Sequence, residues 1–115
     1  MLWLSVLQFT RPENAQWFSE IYTPETKQQG INYAVQNNII SEYDDVDTQT
    51  TILRTIYQSE EDYNIQQGLI QQQDFHQRRV AHNTSVGIIT ETVYLGPLEN
   101  YTGTMHHDLS YYSNP

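Results

Sequence analysis

The stretch "IISEYDDVDTQTTILRTIYQSEED", residues 39–62, decides the fold. Its first seven residues alternate between two sides as a β-strand does, and "TTILRTIY" (50–57) is rich in β-branched and aromatic residues. The polar run "DDVDTQ" (44–49) predicts a turn, so that the two strands form an antiparallel hairpin. Ser59, followed three residues later by Asp62, predicts the start of a helix, because a serine cap and early acidic residues favour a helix N-terminus.

The same kind of signal extends the pattern in both directions. "MLWLSVLQF" (1–9) is apolar on both sides and predicts a strand that is covered on both faces. Residues 13–38 predict a bent, two-part crossover helix whose second part is capped by Thr23. The helix after Ser59 is predicted to bend at Gly68 and to end at "NTSVG" (83–87), and "IITETVYLG" (88–96) predicts the last strand.

The resulting order, strand, helix, strand, strand, helix, strand, predicts an α+β domain over residues 1–96. A βαββαβ chain forms a four-stranded antiparallel sheet with both helices on one face, the ferredoxin-like arrangement. The other face would then be apolar and bare, and large exposed apolar patches mark interfaces. We therefore predict a homodimer in which the two sheets pack face to face.

Three features of the sequence resemble one known group of proteins. They are the "YQSEEDYN" entry to the second helix, the expected bend near Gly68, and "NTSVGIITETVYL" leading into the last strand. Over about residues 1–96 the chain resembles the dimeric α/β-barrel superfamily, and within it the small dimeric ferredoxin-like proteins of unknown function from marine environmental sequences. That group includes cofactor-free monooxygenases, haem-handling relatives and members without known activity. No catalytic motif of the group maps onto this chain, so the resemblance implies a fold and no catalytic residue.

The composition narrows the range of partners and cofactors. The 115 residues fit one domain and carry fourteen acidic against five basic side chains, which disfavours nucleic acid and anionic membranes. There is no cysteine, so disulfides, thiolate zinc sites and iron–sulfur clusters are excluded, and we predict no cofactor. The apolar start is interpreted as a strand, because it is too short to cross a bilayer and has no basic leader. A cytoplasmic protein is the expectation.

The second predicted helix gathers most of the cationic side chains. His76, Arg78, Arg79 and His82 lie within seven residues, and Arg79 and His82 share a face with Phe75. Arg79 or His82 could border a space between helix and sheet, where a neutral imidazole can act as a base. The alternative is a solvated face that pairs with the many acids, where each pair contributes about 0–1 kcal/mol.

Arg54 is the second candidate, because it interrupts an apolar face of the third strand. A charge taken out of water needs a partner. Either that face is wet, or Arg54 meets an acid such as Glu42, Asp44 or Glu91, or it binds an anionic ligand.

Aromatic residues could wall a flat pocket for a planar molecule. Tyr43 and Tyr57, with Trp3 and Trp17, are the candidates for this wall. The alternative is that they belong to the core or to the dimer interface.

The C-terminal extension, residues 97–115, is interpreted as a docking arm. Its histidines, His106 and His107, are adjacent and would point apart in an extended chain, so we predict no metal site there. Its apolar and aromatic residues suit docking on the same or the partner subunit, and those expected to dock are Tyr101, Leu109, Tyr111 and Tyr112.

Two functions from different classes stay open at this stage. One is a protein that binds a small planar or anionic molecule, or a cofactor-free oxygenase-type enzyme, with Arg54, Arg79 or His82 orienting the substrate. The other is a non-enzymatic binding or assembly module. Whether there is catalysis is undecided by the sequence.

Overall fold

The structure is a computed structural model, and it describes residues 1–17, 28, 32 and 39–105, without the side chain of Phe75. The crossover helix predicted over residues 13–38 falls largely outside the described residues. Residues 13–17 form a turn and loop after the first strand. The predicted docking residues Leu109, Tyr111 and Tyr112 also lie outside the described part.

Four strands form one antiparallel sheet. They are β1 (Trp3–Thr10), β2 (Ile40–Asp45), β3 (Thr50–Tyr57) and β4 (Ile89–Pro97), in the spatial order β2-β3-β1-β4. Each neighbouring pair is antiparallel, and β1 lies in the interior between β3 and β4. The predicted hairpin and the predicted α+β class are therefore confirmed, and the strand order is that of the ferredoxin-like arrangement.

Two helices connect β3 to β4. They are α1 (Glu60–Gln71) and α2 (Asp74–Val86). As predicted, Ser59 caps α1, and its hydroxyl accepts a hydrogen bond from the Asp62 amide at 3.0 Å. The second helix also ends as predicted, at Gly87, whose φ of 80° is a left-handed conformation that favours glycine.

The interruption that was predicted near Gly68 lies four residues further along the chain. The helix α1 runs through Gly68, and the break comes at residues 72–73, where the Gln72 and Gln73 amides bond back to Leu69 and Ile70. Gly68 is solvent-exposed, and a Cβ added there would meet no atom within 4 Å. Glycine therefore weakens the helix at this point without interrupting it.

The sheet has two faces with different cover. On the helix face, Trp3, Ile39 and Tyr57 pack with Tyr63 of α1. On the outer face, the core consists of four buried residues and is covered by residues from the segment that follows β4. The core residues are Leu4, Val6, Ile40 and Ile56, and the covering residues of that segment are Leu98, Tyr101 and Met105.

Residues 98–105, here called the strap, thus cover part of the face that the sequence analysis assigned to a partner subunit. The strap begins with a 3-10 turn, Leu98–Asn100, and its Leu98 amide bonds to the Leu2 carbonyl at 2.9 Å. The homodimer stays a prediction. In the part of the chain that the structure describes, no helix is long and apolar enough to cross a membrane.

Candidate functional site

The five predicted ligand-binding residues lie on two different faces of the sheet. Side chains alternate along a strand, so Arg54 faces the strap, whereas Tyr57 of the same strand faces the helices. Tyr43 shares the helix face, and the Arg79 guanidinium lies 5.9 Å from the centre of the Phe9 ring on that face. Arg54 therefore cannot line the same pocket as Arg79 and His82.

Arg54 forms a buried ion-pair cluster on the outer face. Its Nη1 donates to Glu42 Oε1 at 3.2 Å and to Asp44 Oδ2 at 3.3 Å. Arg54 and Glu42 are directly opposite each other in the β2–β3 register and are 4% and 5% exposed. Of the three alternatives left by the sequence, the structure shows a buried acidic partner.

The electrostatics of this cluster oppose an anionic ligand. Burial lowers the pKa of Arg54, but hydrogen bonds to Tyr101 and Asp44 and the charge of Glu42 outweigh it, so its pKa is raised. The guanidinium is therefore cationic and faces two carboxylates, which leaves an excess of negative charge. Arg54 Nε has no hydrogen-bond partner among the described residues, but an anion bonded to it would lie close to the carboxylates of Glu42 and Asp44, which repel it.

The cationic residues of α2 are hydrogen-bonded within the protein. Arg79 Nη2 donates to His76 Nδ1 at 2.8 Å, and burial followed by the charge of Arg79 lowers the pKa of His76. His82 Nε2 donates to the Gln16 carbonyl at 2.8 Å and so ties α2 to the loop after β1. Arg78 pairs with Asp74 on the exposed side of the same helix at 3.0 Å. These bonds give each side chain a structural role.

Three hydroxyl groups form a row across the helix face, and the sequence analysis missed them. Thr55 of β3 is opposite Ser5 of β1 and Ser41 of β2, and the Ser41 and Thr55 hydroxyls are 3.3 Å apart. Ser5 and Thr55 are buried. The signal was present in the alternation, since small hydroxyl residues occupy inward positions on three strands. Their alignment depends on strand pairing between distant parts of the chain.

Four buried side-chain polar atoms have no hydrogen-bond partner among the described residues. Two of them, the donor Trp3 Nε1 on β1 and the acceptor Gln66 Oε1 on α1, lie beside this row, and the other two are Arg54 Nε and Asn83 Oδ1. Trp3 and Tyr63 each pack against the buried pair Ile39 and Tyr57, and Gln66 follows Tyr63 by about one helical turn. Trp3 and Gln66 therefore both border the layer between α1 and the sheet. An unsatisfied buried polar group costs about 1–3 kcal/mol, and such groups in a native fold call for an explanation.

The aromatic wall of this layer is formed by Tyr57 and Tyr63. Their rings meet edge to face with centroids 5.2 Å apart, and Gln67 Nε2 donates to the Tyr57 hydroxyl at 3.3 Å. Burial, with a contribution from Tyr63, raises the pKa of Tyr57 to about 12. Burial also raises the pKa of Tyr43, against the charge of Arg79. Both phenols are therefore neutral at physiological pH, and neither is a general base.

Tyr101 is the one predicted docking residue within the described part. Its ring packs on the outer core and lies 5.2 Å from the Tyr94 ring, and its hydroxyl donates to the Thr104 carbonyl at 3.1 Å. Within the described ranges, no group of three or more His, Cys, Asp or Glu side chains could hold a metal ion.

Comparison with known proteins gives no further guide. No family model, no curated protein and no solved structure matches the chain. The function has to be argued from the residues themselves.

Proposed function

We propose that the protein binds a small, planar, uncharged molecule in the layer between α1 and the helix face of the sheet. The observation that carries this proposal is that Trp3 Nε1 and Gln66 Oε1, both buried at this layer, have no hydrogen-bond partner among the described residues. One is a donor and the other an acceptor. A flat molecule with an adjacent carbonyl and N–H group would satisfy both.

The surroundings of the pair favour an uncharged ligand over an anionic one. The chain has a formal net charge of −9, and Arg54, which is buried, lies on the opposite face with two carboxylates. The aromatic rings of Tyr57 and Tyr63 and the hydroxyl row offer stacking and neutral hydrogen bonds instead. Binding sites of this kind are mostly apolar with a few placed polar groups.

Binding is favoured over catalysis because the imidazoles on α2 are engaged. His76 accepts from Arg79, and His82 donates to a backbone carbonyl, so neither is presented to the Trp3 region as a base. The proposal therefore retains the small-molecule-binding function and leaves out the oxygenase-type reaction.

A homodimer remains part of the proposal. Its support is the pattern of apolar residues on the outer face, with the difference that the strap now covers part of it. A partner subunit would pack on the strap as well as on the sheet. Sedimentation equilibrium of the full chain measures this directly.

The ligand proposal is tested with quinolin-2-one, a flat bicyclic lactam that carries the carbonyl and N–H side by side. We expect it to shift the indole N–H resonance of Trp3 in a saturable way in a nitrogen–proton correlation spectrum. The indole of Trp17 serves as an internal control, since the chain has two tryptophans. Naphthalene has the same shape without polar groups, and 2-naphthoate adds an anionic group, so both should bind more weakly.

A pair of variants separates this site from nonspecific binding. Gln66→Met removes the acceptor and should weaken quinolin-2-one by about tenfold, the value of one lost hydrogen bond of about 1.4 kcal/mol. Gln77→Met changes an exposed glutamine on α2 and should leave the affinity unchanged. An unshifted Trp3 resonance, or stronger binding of 2-naphthoate, would rule out the proposal.

A further inference from the structure

The edge strand β4 exposes apolar side chains on both faces of the sheet, because Ile89 is opposite Thr10 whereas Leu95 is opposite Ser5. It has β1 on one side and no strand on the other in the described sheet. Ile89, Val93 and Leu95 are 57%, 56% and 44% exposed. Native proteins usually protect an edge of this length with lysine, proline, a β-bulge or a covering segment, and of these β4 has a register shift against β1. Between Ile89 and Gly96, β4 contains neither lysine nor proline.

The edge also carries acidic side chains without basic ones. From Val80 to the C-terminus the sequence contains no lysine or arginine. Within β4 and the turn after it, Glu91 and Glu99 are both exposed. No ion pair to either glutamate is found among the described residues. The apolar side chains of the edge are thus accompanied by uncompensated negative charge.

We propose that the outer edge of β4 binds an extended, basic segment of another protein by strand addition. An added strand bonds to the backbone groups on the side of β4 that faces away from β1, and its side chains pack on the exposed apolar positions of the two sheet faces. Charge complementarity identifies the partner as cationic, because Glu91 and Glu99 attract lysine or arginine and repel acidic chains. This surface is separate from the proposed ligand layer, which lies beneath α1.

A second copy of the chain fits this edge less well than a basic segment. Pairing of two β4 edges would bring Glu91 and Glu99 of both copies to one interface, and the sequence from Val80 onward has no lysine or arginine to offset them. The outer face, and not this edge, is the surface where a homodimer is proposed.

The inference is tested with a nine-residue, end-capped peptide in which valine alternates with lysine or threonine. Its control has glutamate in place of each lysine. We expect the lysine peptide to shift the backbone amide resonances of β4 in the full-length protein, and to bind more weakly as salt is raised. The glutamate peptide should produce no saturable shift.

Two charge-reversal variants locate the binding. Glu91→Lys should weaken the lysine peptide by about fivefold or more, in line with the loss of an exposed attraction and the gain of a repulsion. Glu61→Lys makes the same change of charge on α1 and should alter the affinity by less than about twofold. Equal effects of the two variants would show nonspecific attraction and overturn the proposal.

Two further results would also overturn it. One is binding of the lysine peptide with shifts confined to residues outside β4. The other is a concentration-dependent dimer of the chain alone in which the β4 amides are the ones protected from exchange, because a second copy would then occupy the edge.

Discussion

Arg54 shows how one residue can determine the character of a whole sheet face. Arg54 is buried on the same sheet face as the apolar residues Leu4, Val6 and Ile56. Its charge is tolerated there because Glu42 and Asp44 on the neighbouring strand neutralise it. Removing one partner of a buried ion pair leaves an uncompensated charge, which costs about 3–5 kcal/mol. We therefore expect Arg54→Met to lower the free energy of unfolding in urea by that amount.

The matched control is another arginine of the same chain. Arg78 pairs with Asp74 one helical turn away and is well exposed, so Arg78→Met should cost less than about 0.5 kcal/mol. Adding Glu42→Leu to Arg54→Met should restore much of the stability, since an apolar pair of similar size replaces the ion pair. If Arg54→Met lowered the free energy of unfolding by no more than Arg78→Met, the Arg54 ion pairs would contribute no more to stability than an exposed ion pair does.

The sequence could name the partners of Arg54 but could not choose among them. Glu42, Asp44 and Glu91 were all candidates, and the choice follows from strand order. The strand β2 is hydrogen-bonded directly to β3, whereas Glu91 on β4 is separated from β3 by β1. Contacts of this kind depend on pairing between distant segments, and no local pattern records them.

At the level of elements, the local sequence predicted where the helical region begins and ends better than where it is interrupted. The Ser59 cap and the Gly87 end were predicted because each rests on the preference of one residue for a special backbone conformation. The break between α1 and α2 falls on Gln72 and Gln73, which have no such preference. No local preference therefore explains the position of the break, and the nearby glycine was the wrong residue from which to predict it.

Two glycines between β3 and β4 should change stability in opposite directions when each is replaced by alanine. Gly68 lies inside α1 with open space around it, so Gly68→Ala should raise the free energy of unfolding by about 0.5–1 kcal/mol. Gly87 has φ of 80°, and an added Cβ would lie 3.4 Å from Pro12 Cγ, so Gly87→Ala should cost about 1–2 kcal/mol. Urea unfolding of both variants measures the difference. Stabilisation by Gly87→Ala would contradict the left-handed helix end.

At the scale of the whole molecule, the question is whether the strap or a second subunit covers the apolar core of the outer face. Three of its apolar side chains, Leu98, Tyr101 and Met105, pack on the buried core of that face. Replacing all three with serine should uncover part of this core, at a cost of about 1 kcal/mol or more for each partly buried side chain. For a domain of this size, we expect the melting temperature to fall by about 10 °C or more.

The comparison that isolates the strap is a triple serine variant at apolar residues that are already exposed. Ile65, Leu69 and Val80 are each about half exposed on the helices, so the same change there should cost far less. The strap variant should also bind a dye specific for exposed apolar surface. If the strap variant instead kept the melting temperature of the unaltered chain and melted at a higher temperature when the protein is more concentrated, that result would show that a partner subunit covers the outer face. A melting temperature that is lowered and independent of concentration would show that the chain closes its own sheet.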